Sequence, residues 1–250
     1  AADDGFSLMV GGPREAYEVM EPAFDAVANA VGPDGYDPQF DADPPHVVFV
    51  SNHIERKGVR ELTAAIEELL DQNLTFEATI AGSGPLSHHA EELATTADEV
   101  SYVGYISEAE KRDLLSGASV YVLPTYAEGL PIALLEGMAG GNALVSTRVA
   151  SIPDIVGEEN GELVPPGDVP ALRDAMRRLV ENPADIERAA RRNRELVKSV
   201  YSWERTAERL TAVYERLCET ECEANDGPKA DVATTGVDDE TAGAQASPRR

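Results

Sequence analysis

Lysine is almost missing from this chain. Lys57, Lys111, Lys198 and Lys229 are the only four among 21 basic residues, set against 46 acids and a net charge of −25. So acidic a surface disfavours non-specific binding to nucleic acid or to an anionic membrane. It is the balance expected of a halophilic protein in a salt-rich cytoplasm, where screening removes the self-repulsion. Cysteine is nearly as scarce. Cys218 and Cys222, with no His or further Cys near them, cannot close a usual zinc site and read as incidental thiols. No stretch approaches the roughly 20 apolar residues that span a bilayer, and no secretory signal opens the chain. A soluble, cytoplasmic protein is the expectation, with a peripheral place at the inner membrane face left open. A Gly-Lys-Ser/Thr phosphate loop is missing, which sets aside the usual nucleotide hydrolases. His46, His53, His88 and His89 lack zinc-protease spacing, and no internal repeat is visible.

What remains is enough for one large or two small domains: 250 residues, of which 42% are hydrophobic. Residues 1–45 hold one helical pattern, over 15–31, and a Gly, Pro and Asp-rich linker at 32–38. Asp41 and Asp43 have the spacing of a metal-binding pair but lie in polar linker, away from any strand end. From 46 to 218 strand-like and helix-like stretches alternate, the signature of an α/β domain with a mainly parallel sheet. The spacing predicts strands at 47–50, 75–81, 100–103, 119–124, 143–146 and 161–164. Helices are expected at 59–70, from beyond Pro85 to about 96, at 108–115, after 130, at 169–180, 185–200 and 203–217. His88 and His89 would be exposed on one of them. The positive charge of Arg188, Arg191, Arg192, Arg194 and Lys198 reads as a solvated helix face, or as contact with an acidic lipid or partner. Residues 219–250 are Glu, Asp, Thr, Ala and Gly with little that is large and apolar, and read as a disordered acidic tail.

The centre of the chain is Glu128-Gly-Leu-Pro-Ile-Ala-Leu-Leu-Glu136, directly after the apolar run 119–124. Strand, loop and helix follow one another here, with Pro131 suited to the first helical turn. Free N–H groups at 130–133 and the positive helix end would suit a phosphate. Glu128 ahead of the helix and Glu136 inside it would accept hydrogen bonds from hydroxyls on either side of that anion. A nucleotide-diphosphate sugar has that pattern of groups. Two solvated acids eight apart would be the plain alternative, but the near-continuous apolar surface of the helix argues that Glu136 is mostly buried and needs a ligand or cation.

Ligands of open parallel sheets bind beyond the carboxyl ends of the strands. Those ends carry Asn52 and His53, Gly82 and Gly84, Tyr105 and Ile106, and the loop 124–129. Arg56 and Lys57 follow the first strand and bring positive charge without a metal. Gly82-Ser-Gly84 could open a dinucleotide fingerprint, but the third glycine position is Ser87 and the strand is not the first of its unit, so an NAD-dependent oxidoreductase is a weak reading.

Several motifs stand in order: Pro33-Asp-Gly-Tyr-Asp37, Lys57-Gly58, Ala81-Gly-Ser-Gly-Pro-Leu86, Val103-Gly-Tyr105, 128–136, Ile152-Pro153-Asp154 and Gly161-Glu-Leu-Val-Pro-Pro-Gly167. On these the chain, from about 31 to 217, resembles the carboxy-terminal half of a retaining glycosyltransferase of family 4, one of the two Rossmann-like domains of a GT-B fold. The resemblance implies a Rossmann-like parallel sheet with helices on both faces. Glu136 would hold ribose hydroxyls of the donor and Glu128 the transferring sugar. The amides from Gly129 through Leu130 and Pro131 to Ile132 would hold diphosphate and sugar, Lys57 would neutralise the diphosphate, and backbone near Tyr105 and Ile106 would meet the base, with Gly82 close by. No metal and no cofactor beyond the donor are implied.

Three departures stand against it. The family usually has Arg five residues before the Lys, where this chain has Asn52, with Arg56 as a conceivable substitute. Ala150-Ser151 replaces a Gly-Gly. Only about 45 residues precede the first strand, so an amino-terminal domain for the acceptor would have to come from another chain or a missing segment. The alternatives are therefore a hexosyltransferase donor-binding domain and a non-catalytic nucleotide-sugar-binding or partner-docking module.

Overall fold

The computed structural model describes residues 42–129 and 131–202, with Arg205, Ala207, Glu208, Thr211 and Ala212. The helix expected over 15–31, the linker at 32–38, Asp41, Leu130, most of 203–217, both cysteines and the acidic tail lie outside the described residues. The chain divides into two compact units between Ala207 and Glu208, and the sheet belongs to the first.

Six strands form that sheet: β1 His46–Val50, β2 Glu77–Ala81, β3 Val100–Gly104, β4 Val120–Leu123, β5 Ala143–Thr147 and β6 Gly161–Val164. All neighbouring pairs are parallel, in the order β3-β2-β1-β4-β5-β6. β4 and β5 are buried at every position, which is why they read in sequence as unbroken apolar runs. Between them run α1 Val59–Asp71, α2 Ser87–Thr96, α3 Glu108–Ser116, α4 Ile132–Ala139 and the single turn α5 Ile152–Ile155; α6 Val169–Val180 and α7 Pro183–Leu196 follow β6. Right-handed crossovers put α1 and α2 on one face, where the chain winds outward from β1 to β3. Winding the other way from β3 through β4 to β6 puts α3 and α4 on the opposite face. The direction reverses between β1 and β4, and at such a reversal the loops leaving two neighbouring strands part to leave a crevice.

Within the described residues the expected helices and strands are present, with ends shifted by a few residues. The second strand starts at Glu77 rather than 75. The helix expected over 185–200 starts at Pro183, whose missing N–H costs nothing in a first turn. Its last part, Val197–Tyr201, is a π turn. In α1 the stripe Leu62, Ala65, Ile66 and Leu69 is buried. Leu115 of α3 is buried and Leu114 is partly covered.

Three buried asparagines fasten α7 to the sheet. Asn193 donates to the carbonyls of Asn142 (2.8 Å) and Asn160 (2.9 Å), and its own oxygen accepts from the Asn160 amide at 2.9 Å. Asn142 in turn donates to the Leu115 and Ala118 carbonyls, both at 2.8 Å. Replacing Asn193 by Leu keeps the branched shape but strands the Asn142 and Asn160 carbonyls, while the Asn160 amide keeps its other bond, to the Ile155 carbonyl at 3.0 Å. Each buried polar group so orphaned costs ~1–3 kcal/mol, so a loss of about 3 kcal/mol or more is expected. A lower urea midpoint at unchanged slope would register it.

Candidate functional site

At the reversal of the sheet the exits of β1 and β4 are backbones in unusually close approach. Gly58, at φ 72°, ends the 3-10 turn Glu55–Lys57 and starts α1. A Cβ there would stand 2.0 Å from the Pro124 carbonyl oxygen, so only glycine lets the β1 exit meet the β4 exit. The Arg56 carbonyl then accepts from Tyr126 N at 2.8 Å and Thr125 Oγ at 2.9 Å. Gly82, at φ 121°, brings the β2 exit as near to Ser51.

This frame sets Lys57 against Glu128. Nζ donates to Oε1 at 2.6 Å, with the side chains only 15% and 8% exposed. Beyond Glu128, α4 begins at Ile132 with Pro131 as its N-cap, one position earlier than the first-turn place expected for it. At ψ 75° Pro131 is not helical, yet its carbonyl accepts the first bonds of the ladder, from Leu134 and Leu135. The amides of Ile132 and Ala133 thus stand ahead of that ladder at the positive end of the helix. Ile132 itself is 44% exposed at the mouth.

Glu136 lies one turn further in. Its Oε1 accepts from Lys111 Nζ at 2.8 Å, and Lys111 also pairs with Glu108 at 2.8 Å. Burial pushes the Glu136 carboxyl above its ordinary range while the Lys111 hydrogen bond and charge pull it back. Burial pulls the Lys111 ammonium down, but its bonds to Glu108 and Glu136 leave it raised overall. The sequence asks for a ligand or a cation beside Glu136 but carries no signal that Lys111 supplies it, since the two stand 25 residues apart on different helices.

Tyr121 lies under both acids. Its hydroxyl donates to the Val50 carbonyl at 2.9 Å, and its ring fills the space where a Cβ on Gly137 would fall, 2.9 Å from Cγ. Burial, then the charges of Glu136 and Glu128, hold the phenol well above its ordinary pKa.

The other sequence-predicted positions scatter around this centre. Asn52 and Arg56 are exposed on the β1 exit, and the Arg56 guanidinium forms no ion pair among the described residues. Gly129 lies between Glu128 and the helix and accepts from Ser151 Oγ at 2.7 Å. Leu130 lies outside the described residues. Tyr105, 84% exposed, and half-buried Ile106 follow the edge strand β3, with Gly82 N donating to Gly104 O beside them. Two histidines differ from expectation. His53, expected at the ligand edge, is fully buried, with Nδ1 3.0 Å from Ser87 Oγ and Nε2 3.3 Å from Ala81 O. His89 is half-buried rather than exposed, packed on His88. Among the described residues no cluster of His, Cys, Asp or Glu could hold a metal ion, and no helix is long and apolar enough to cross a membrane.

The α4 start thus offers two free amides suited to an anion, with Glu128, paired to Lys57, in the loop ahead of it and Glu136 one turn inside it. The family model described as glycosyl transferases group 1 matches residues 44–182. An MMP alpha-(1->4)-mannosyltransferase of Mycolicibacterium hassiacum is 30% identical over 175 residues, which are 68% of this chain and 42% of that one. The chain spans less than half the length of the curated relatives of this kind. A sucrose-phosphate synthase from Thermosynechococcus elongatus superposes with a TM-score of 0.62 at 28% identity, covering 78% of this chain and 49% of the other. The carboxy-terminal domain of a group 1 glycosyl transferase from Francisella tularensis, at 21% identity, shares the fold with a TM-score of 0.60, over 70% of this chain and 98% of that domain.

Proposed function

The chain belongs to the group 1 glycosyl transferases, and from that membership we propose that it is the donor-binding half of a retaining hexosyltransferase of family 4. Its donor would be a nucleotide-diphosphate sugar. The Rossmann-like sheet is of the GT-B type found in such enzymes. The observation that carries the reading is the contact of Lys57 with Glu128 beside the α4 mouth, at the reversal of the sheet.

In transfer the bond from the sugar carbon to the phosphate oxygen breaks, and negative charge collects on the departing diphosphate. Lys57 has three N–H donors and uses one on Glu128. The other two, with the amides of Ile132 and Ala133, would stabilise that charge without a metal. Glu128 would orient the sugar through its hydroxyls, and Glu136 the nucleoside through its ribose. The backbone around Tyr105 and Ile106 would line the base. The acceptor hydroxyl, whose proton passes to the departing diphosphate oxygen as it joins the sugar, would be presented by an amino-terminal domain.

A second reading, a binding module without turnover, is favoured by one observation: Asn52 puts a neutral, exposed amide where the family usually carries a second diphosphate cation. Calorimetric titration with uridine, guanosine and adenosine diphosphate sugars separates the two when joined to an assay for nucleotide release, run with and without an amino-terminal half. Micromolar binding of one donor is expected, with release only when both halves are present. Tight binding that never leads to release in any pairing supports the module; no binding of any donor removes both readings.

A further inference from the structure

We propose that Lys111 is the positioning residue for Glu136, holding its carboxylate charged and clamped through Oε1 so that Oε2 is left for the ribose hydroxyls of the donor. This rests on the donor reading above. Lys111 is not a neighbour in sequence and does not lie on the loops that form the crevice. It reaches Glu136 from α3, the helix on the same sheet face, and it does so from a fixed base. Ser107 caps α3 in a reciprocal capping box, accepting from Glu110 N at 3.3 Å while its own N–H donates to Glu110 at 2.7 Å. The Lys111 amide then bonds the Ser107 carbonyl at 2.8 Å, so the stem of the lysine starts from the first, pinned turn.

The two partners of Lys111 are unlike each other. Glu108 is largely exposed, whereas the Glu136 side chain is 16% exposed and lies in an apolar helix. Without a cation such a carboxylate would take up a proton to escape the cost of burial. A protonated Glu136 would hold ribose hydroxyls far less strongly than a charged one. Oε2 has no hydrogen bond among the described residues. The groups acting on Glu136 are Lys111, which lowers its pKa, and Glu108, which raises it; both lie on α3. From β4, Tyr121 is neutral at working pH. β5, α7 and the π turn, which also pack on α4, add no charge that acts on Glu136.

The sign of the pH effect follows. Donor binding needs the deprotonated carboxylate, so affinity falls as pH drops through the pKa of Glu136. Removing Lys111 moves that fall to higher pH.

The test is calorimetric binding of UDP, GDP and ADP, each beside its 2′-deoxy counterpart, to the full chain as wild type, Lys111→Met, Lys111→Arg and, as a control at the exposed partner, Glu108→Gln. Wild type should prefer the ribose form of its nucleotide. Lys111→Met should bind it about tenfold or more weakly at neutral pH, the loss of one charge-assisted contact, and should lose most of the ribose preference. Its affinity should recover as pH is raised. Lys111→Arg should restore binding, and Glu108→Gln should leave it near wild type. If Lys111→Met lowers the melting temperature but leaves affinity, pH profile and ribose preference unchanged, Lys111 is only a helix-to-helix fastening and the inference fails while the donor reading stands. If wild type binds none of the three nucleotides, both fall together.

Discussion

Lys57→Met should abolish donor binding and destabilise the protein by about 3 kcal/mol, whereas Lys57→Met combined with Glu128→Gln should recover most of the stability and none of the binding. The asymmetry follows from burial. Glu128 is 8% exposed, and its one ion-pair partner among the described residues is Lys57, so removing the lysine alone leaves a nearly buried carboxylate uncompensated. Breaking one half of a buried pair costs ~3–5 kcal/mol, and the 15% exposure of Lys57 puts this case at the low end. Replacing both charges by neutral groups of similar shape removes that penalty, because the pair contributes little net stability once its own desolvation is counted. Binding has no such rescue. On the proposed function the ammonium is the charge that meets the diphosphate, and neither an uncharged thioether at position 57 nor a neutral amide at position 128 can replace it. Chemical denaturation of the wild type, two single variants and the double variant gives the coupling energy, and titration of the same four with nucleotide gives the function. A Lys57→Met protein that still binds its nucleotide would take the diphosphate away from this lysine.

Gly58→Ala is expected to be worse for the fold than either charge change. The residue sits at φ 72°, where an L side chain costs ~1–2 kcal/mol on its own. Its added methyl would also stand 2.0 Å from the Pro124 carbonyl oxygen, a backbone atom with no rotamer to escape into. Strain and overpacking together should reach about 4 kcal/mol or leave the protein unfolded. Gly129→Ala is the matched control inside the same site. A Cβ there meets nothing within 4 Å, so stability should stay within about 0.5 kcal/mol of wild type. Equal thermal midpoints for the two variants would mean that the β1 and β4 exits are not pressed together as described.

Sequence carried the alternation of strand and helix well, because β4 and β5 are buried on both faces and their apolar runs end at loop residues. It also carried the close association of Glu128 with a helix start, which depends on only a few consecutive residues. What escaped it depends on distance along the chain. The partner of Glu136 stands 25 residues earlier on another helix, and nothing local says that the two side chains meet. His53 follows a strand like a ligand-edge residue, yet the approach of Gly82 to Ser51 closes the space around it. Pro131 missed the helix by one position because its ψ is settled by the loop it ends, not by its ring. The order of the strands, and with it the placing of the crevice between β1 and β4, is a property of crossover handedness that no single segment contains.

Tyr121 has a wider consequence. One phenol is braced at its tip by the last residue of β1 and along its ring by the residue after Glu136. The two jaws of the crevice are thus spaced by a single rigid aromatic part whose length does not vary. A brace of constant length favours a set gap, so selectivity among guests is expected to come from what lines the jaws rather than from how far they open.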